Sequence, residues 1–348
     1  MSENKNDIYR FPFLVNSVCA AGLGFTMNML LLFLITKRTP SVMKSYSRIM
    51  KIHCLSDVAY DSVCFITGLH PTPIAGHVFC LWQGFITKVP LWLNHILFSC
   101  WYWVLLTAVT LLPVDFYFRY MSVCHNKDLT NRQIAIMVFC AYFVTWLHTF
   151  PNSYNYMVFS DTPEAAEYTK ELERFEQWKG NVPSYAATIL GGSKAVANYL
   201  YVILLNVVCY SIIGYTSYQI NKALKQNANV NKNTKSMELQ KQVSRILILQ
   251  FTLPLTVVSI PMSVIAVLGL MKVDVPYAGA FSSATYYWLS AVKPIATILI
   301  VRSYREYAIR KILRPLFCIH PQHGNKISSI TANSVVHDTP MDSSSAAY

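Results

Sequence analysis

The sequence predicts an all-α fold: a seven-transmembrane helix bundle with its N-terminus outside and a short interfacial helix after the seventh span. Three observations predict it. The runs Phe11 to Thr36, Ala195 to Ile220 and Ile246 to Met271 are each 26 residues long and carry no charge, and about 20 apolar residues suffice to cross the hydrocarbon core. Of the 348 residues, 53% are hydrophobic and only 13% charged. Basic charge alternates from loop to loop, with 20 of the 29 Lys and Arg on one side, and basic residues resist translocation.

The elements follow in order. Residues 1–10 form an extracellular N-terminus. The first run is too long for a signal-peptide core and is followed by Lys37 and Arg38, so it is a retained signal-anchor helix. The spans fall at about 11–36, 52–69, 91–118, 133–153, 195–220, 246–271 and 275–301, and together make a bundle over 11–301. Each can cross with some tilt. Val78 to Thr87 is apolar but short and lies between Pro71, Pro73 and Pro90, which suits an interfacial loop. The net charge of +12 reflects the loop asymmetry and attraction to anionic membrane lipids. No nucleic-acid partner is expected.

The outer loop after the fourth span carries helix grammar from Asp161 to Lys179. Thr162 can cap, Pro163 suits the first position, and Gly180 can end the helix. Tyr168, Leu172, Phe175 and Trp178 make one apolar face, either of a helix resting on the bundle or of a lid over a ligand entrance. Residues 302–318 mix apolar and basic side chains, as in a helix lying in the inner interface. Cys318 is a candidate palmitoylation site or an inert thiol, and 319–348 reads as a disordered cytoplasmic tail. Cys80 is the one clear outer-loop cysteine, so no outer-face disulfide is expected.

Ionisable groups inside lipid cost about 2.5–3.5 kcal/mol or more each and need a partner or a purpose. His53, Asp57 and Asp61 stand at i, i+4 and i+8, on one face of the second helix, and that face must point into the bundle. Asp57 lies roughly 9 Å in from Lys51, and Lys293 roughly 13 Å in from Arg302, at 1.5 Å per residue. The two opposite charges therefore share a depth and predict an ion pair, with Asn28 within reach; the alternative is that Lys293 snorkels to the headgroups. Asp115 and Arg119, at i and i+4, suit a local salt bridge or a switch that changes partners.

The order and spacing of these residues resemble those of G-protein-coupled receptors. Asn28 sits in Gly24-Phe-Thr-Met-Asn28-Met-Leu-Leu-Leu and Asp57 in Leu55-Ser-Asp57. Arg119 sits in Phe116-Tyr-Phe-Arg119-Tyr120, and Lys293-Pro294-Ile-Ala-Thr297 precedes Ser303-Tyr304-Arg305. The wording is most similar to the nematode serpentine chemoreceptors of the Str superfamily, particularly the Srd-like group, which shares the Leu239-Gln240-x-Gln242 start of helix six. The resemblance covers about residues 11–317. It implies a receptor that binds a small odorant or metabolite and signals to a heterotrimeric G protein from the plasma membrane of a sensory cell. It implies a polar core of Asn28, Asp57, Asp61, Lys293 and Pro294, with Pro294 kinking helix seven, and a coupling and switch group of Asp115, Arg119 and Tyr120. Lys293 departs from the family pattern, where Asn or Asp is usual, and its ammonium would permanently fill the place a sodium ion takes beside the helix-two acid.

A ligand pocket would lie in the outer half of the bundle, among His70, Asn94, His95, Phe98, Trp101, Tyr102, His148, Tyr286, Tyr287 and Trp288. A partly apolar small molecule suits such an aromatic cage. No catalytic residues, metal ligands or cofactor are expected, since the nine histidines are scattered without metal spacing. The rival reading is an ion- or proton-coupled transporter using His53, Asp57, Asp61 and Lys293; the absence of repeated halves and of paired broken helices counts against it.

Overall fold

The computed structural model describes residues 5–40, 43–44, 46–151, 153–230 and 234–313. Cys318 and the tail 319–348 lie outside the described residues. The chain folds as a seven-helix bundle with a small antiparallel sheet across one end. The opposite end, which carries most of the Lys and Arg, is here called the basic end.

The first span is α1 (Lys5–Arg38) and the second α2 (Ser47–Thr67). The third runs through α3 (Leu91–Thr110) and α4 (Leu112–Cys124), which meet at Leu111 just before Pro113, and it extends further than the expected end at 118. The fourth is α5 (Asn131–Thr149), opened by a capping box between Thr130 and Gln133, and a short turn α6 (Ser153–Tyr156) follows. A loop helix α7 (Ala165–Glu173) precedes the fifth span, α8 (Ser193–Val230). The sixth comprises α9 (Thr234–Pro254), a π-helical turn Leu255–Ser259 and α10 (Ile260–Leu270). The widened turn sits between Pro254 and Pro261, whose missing N–H groups disturb the i to i−4 ladder on both sides. The seventh comprises α11 (Ala278–Tyr286) and α12 (Leu289–Ile300).

Four of these spans are by themselves long and apolar enough to cross a membrane, and the seventh qualifies together with the helix that follows it. The second span, which commits three positions to His53, Asp57 and Asp61, and the shorter fourth span do not qualify on their own. Their apolar neighbours supply the rest of the burial: α1 packs on α2 and α12, and α3 packs on α2 and α5.

After α12 the chain turns by 99° into α13 (Arg302–Ala308), which continues as a π turn over Ile309–Leu313. The fully buried Tyr304 anchors it, its hydroxyl 2.6 Å from Thr39 Oγ1 at the end of α1. Arg38 lies 4.5 Å over the Tyr307 ring. The part of the expected interfacial helix beyond 313 is outside the described residues.

The sheet corrects the sequence reading at two places. Residues 78–87 are not simply an interfacial loop, and the second helix does not run to Leu69. Gly68, at φ +51, ends α2, and its N–H returns to Cys64 O. A Cβ there would lie 2.4 Å from Gly84 N, so this turn admits only glycine. The chain enters β1 (Leu69–Ile74) and turns through Ala75 and Gly76, both at positive φ, into β2 (His77–Trp82). Two residues at positive φ make the tight turn whose twist matches a hairpin. With β3 (Val158–Phe159) and β4 (Tyr185–Ile189) the order is β1-β2-β4-β3, antiparallel throughout.

The loop helix covers this sheet. Ala165, Leu172 and Trp178 are buried against Ile74, Phe79, Leu81 and Tyr185, with Tyr168 and Phe175 packed at the edge. The N-cap of α7 is Glu164, without a side-chain cap, and Thr162 instead bonds Phe159 O at 2.8 Å. Cys80 is a buried free thiol in β2, pushed up to about 12 by burial.

Candidate functional site

The polar face of α2 is buried along its length, with His53, Asp57 and Asp61 at 8%, 8% and 2% exposure. Each of the three meets a different partner. Lys293 Nζ donates to Asp57 Oδ1 at 3.0 Å, joining spans two and seven by a buried ion pair. His53 Nε2 lies 2.9 Å from Asp115 Oδ2, joining spans two and three. Ser290 Oγ makes a short hydrogen bond to Asp61 Oδ1.

Asn28 from the first span closes this layer. Its Nδ2 donates to Gly24 O and to Ser290 O, each at 3.0 Å. Ser290 is the residue four before Pro294, so no backbone N–H is available to that carbonyl within α12, and Asn28 supplies the donor. Gly24 allows the approach: a Cβ there would stand 2.6 Å from Ser290 Oγ and 2.7 Å from Asp61 Oδ2. The structure thus brings Asn28, Asp61 and Ser290 together, with Lys293 and Asp57 one turn nearer the basic end.

The break in the seventh span lies at Tyr287 and Trp288, six residues ahead of Pro294, which itself stands inside α12. The proline's missing donor is compensated by Asn28, and the helix carries on through it.

Asp115 is fully buried on α4, and its carboxylate, expected to serve Arg119 locally, contacts His53. Arg119, one turn further on, is 8% exposed and within electrostatic range of Tyr46. Tyr120 lies on the outside of the same turn, its hydroxyl 3.0 Å from His125 Nε2.

Of the ten residues expected to line a ligand pocket, Phe98, Trp101, Tyr286 and Tyr287 share one core cluster with Leu69, Trp82 and Phe159, and Tyr102 and Trp288 pack against it. Tyr286 and Tyr287 both donate to Leu69 O, at 2.8 and 3.1 Å. Asn94 accepts from Trp82 Nε1 at 2.9 Å and donates to Tyr185 O at 3.0 Å, tying α3 to β2 and β4. Trp288 Nε1 donates to Asn16 Oδ1 at 3.0 Å. His148 bonds Asn198 Oδ1 at 2.7 Å, stacks on Tyr201, and shares Asn198 with Tyr102. His95 contacts Ser153 Oγ at 2.5 Å and stacks on Tyr154, while Phe98 packs against Trp101, Tyr102 and Phe159. His70 lies inside β1 with its Nδ1 unpartnered, and burial lowers its pKa to about 3, so it is neutral.

A bundle of seven spans, a buried polar layer linking spans one, two, three and seven, and an aromatic-Arg-Tyr turn closing the third span at the basic end are the setting for the comparisons. The sequence profile described as serpentine type 7TM GPCR chemoreceptor Str matches residues 14–309. The chain belongs to the Str family of serpentine chemoreceptors. Among solved structures, squid rhodopsin superposes with a TM-score of 0.59 over 91% of this chain and 89% of its own, at 13% identity, a likeness of fold. No curated protein matches at the sequence level. This Str receptor is accordingly a multi-pass membrane protein of the G-protein-coupled receptor class.

Sequence reasoning missed three partners in the polar layer. Ser290 and Gly24 carry no charge to flag them, and Asp115 has a charged neighbour at i+4 that conceals its pairing with a residue 62 positions away. The i, i+4, i+8 spacing on α2 and the shared depth of Asp57 and Lys293 announced that the layer existed.

Proposed function

We propose that this chain is a chemosensory receptor that recognises a small molecule at its sheet-bearing end and activates a heterotrimeric G protein at its basic end. The observation that carries the reading is the placement of the Phe116–Tyr120 turn. It lies at the basic end of the third span, directly below a buried layer that joins spans one, two, three and seven. A layer with two alternative packings is the kind of element that a ligand at one end and a partner at the other can both bias. Orientation follows from the Lys and Arg count: the sheet end faces outside, the basic end inside.

The Asp57–Lys293 pair occupies the place where the family pattern has two groups able to share a sodium ion. Here the ammonium is covalently part of the receptor, so signalling should be insensitive to sodium. The Leu239-Gln240-x-Gln242 start of the sixth span and the Tyr304-Arg305 pair support the Srd-like branch and a plasma-membrane address in sensory cells. The buried groups serve packing and switching, with no catalytic role.

The test is G-protein nucleotide exchange driven by the purified chain in lipid nanodiscs, with Lys293→Asn beside the wild type. Basal exchange should change in the variant, and sodium should modulate the variant alone. No exchange under any stimulus, with measurable proton or solute flux in liposomes, would replace the receptor by a transporter.

A further inference from the structure

We infer that the seam between the end of α1 and α13, at the basic end, holds a phospholipid whose headgroup carries a phosphate monoester. The inference uses the receptor reading only for the orientation of this end. A transporter with the same inner face would carry the same site.

The cations along the seam divide into two groups. Arg302 Nε donates to Glu306 Oε1 at 2.7 Å, and Arg305 Nη1 donates to Leu299 O at 2.9 Å. Both guanidiniums are committed within the chain. Arg38 is placed differently. Its Cζ stands 4.5 Å over the Tyr307 ring, which steadies the guanidinium through its face and leaves the N–H groups at its edge unspent. Lys311 follows Tyr307 by four positions, the spacing of side chains on one helix face, and Arg310 stands beside it. Arg38, Arg310 and Lys311 are all exposed, and among the described residues none of them makes an ion pair or a side-chain hydrogen bond. Glu306, the acid of α13, is bonded to Arg302 and is influenced by Arg310 through its field alone. Three like charges around one ring repel one another, and an anion among them offsets that repulsion.

Charge selects the headgroup. Phosphatidylserine brings a single net negative charge. A phosphate monoester brings about −1.5 to −2 and three acceptor oxygens, enough for a guanidinium fork and an ammonium together.

The surface beside the cluster selects a lipid over a free anion. Phe25, Met29 and Phe33 stand at i, i+4 and i+8 on α1, and all are exposed. The Phe33 ring lies 6.1 Å from that of Tyr307, so this apolar stripe runs directly into the cationic cluster. A headgroup at Arg38 with an acyl chain along the stripe fits one molecule, whereas inorganic phosphate would use the polar half alone. The turn of 99° into α13, tied down by Tyr304 on Thr39, keeps the cluster level with the end of α1, where lipid phosphates lie.

The experiment is native mass spectrometry of the full chain titrated with lipids. Phosphatidic acid and a phosphatidylinositol phosphate should bind about tenfold more tightly than phosphatidylserine, the effect of one further charge-assisted hydrogen bond. Arg38→Gln and Lys311→Gln should each raise the Kd for phosphatidic acid about tenfold on the same ground. Arg305→Gln removes the same charge from a committed side chain and should leave the Kd nearly unchanged. Inorganic phosphate should not displace the lipid. Should Arg38→Gln lower the thermal transition, Lys311→Gln decides alone. Phosphatidylserine binding as tightly as phosphatidic acid, or Arg305→Gln losing as much as Arg38→Gln, would reduce the site to diffuse net charge and overturn the proposal. Displacement by inorganic phosphate at the lipid's own concentration would overturn the assignment to a lipid. The readout involves no G protein, so nucleotide exchange continues to test the receptor reading separately.

Discussion

Asn28 donates from Nδ2 to the Ser290 carbonyl at 3.0 Å, the carbonyl that Pro294 cannot serve. A side chain of the first span thus completes the backbone ladder of the seventh. The bond lies at the centre of the bundle, where Asn28 is 1% exposed and water is not available as a substitute donor. Pro294 is tolerated inside α12 for this reason.

Asn28→Leu should cost about 1–3 kcal/mol, the penalty for leaving a buried acceptor unpaired. In a Pro294→Ala background the helix regains its own N–H for Ser290, and the same substitution should cost clearly less. Thermal unfolding in nanodiscs checks both. An equal cost in the two backgrounds would mean that Asn28 serves some other purpose.

Arg119 sits at the basic end of the third span, one turn beyond the Asp115–His53 contact. Arg119→Ala should reduce G-protein nucleotide exchange by at least about tenfold, equivalent to roughly 1.4 kcal/mol of coupling, while the thermal transition stays within a few degrees. Exchange at the wild-type level would remove Arg119 from the coupling surface.

The sheet should loosen in acid through His70. Burial holds its pKa near 3 in the folded chain, against about 6.5 when unfolded. Above pH 6.5 the group is neutral in both states. Below it the unfolded hairpin takes up a proton that the folded one refuses, so stability falls by at most about 1.4 kcal/mol per pH unit until the folded pKa is reached. Hydrogen exchange of Leu69–Trp82 at pH 7 and pH 5 should show faster opening at pH 5 in the wild type. His70→Gln, which has no proton to take up, should show a smaller difference; an identical difference would exclude His70 as the cause.

Much of this architecture was legible before any coordinates. Three uncharged runs and the Lys and Arg asymmetry give the bundle, because lipid permits few alternatives. The spacing of His53, Asp57 and Asp61 gives the buried face, and equal depths bring Lys293 to Asp57. What remained hidden has physical causes. The hairpin at Leu69–Trp82 contains Pro71 and Pro73, which mask strand character, and its strands are buried on both sides, so no apolar and polar alternation marks them. The bonds from Tyr286 and Tyr287 to Leu69 O were hidden as well, since a Tyr hydroxyl aimed at a carbonyl and one aimed at a ligand have the same sequence.

The central claim is that spans two and seven are joined by a buried ion pair, and a double-mutant cycle in thermal unfolding tests it most directly. Asp57→Asn and Lys293→Met should each destabilise the nanodisc-embedded chain by about 3–5 kcal/mol, because each strands a buried charge. The double variant strands none, and its loss should be at least about 2 kcal/mol smaller than the sum of the two single losses. Losses that simply add would contradict the pairing of Lys293 with Asp57 on which the account of this receptor's core depends.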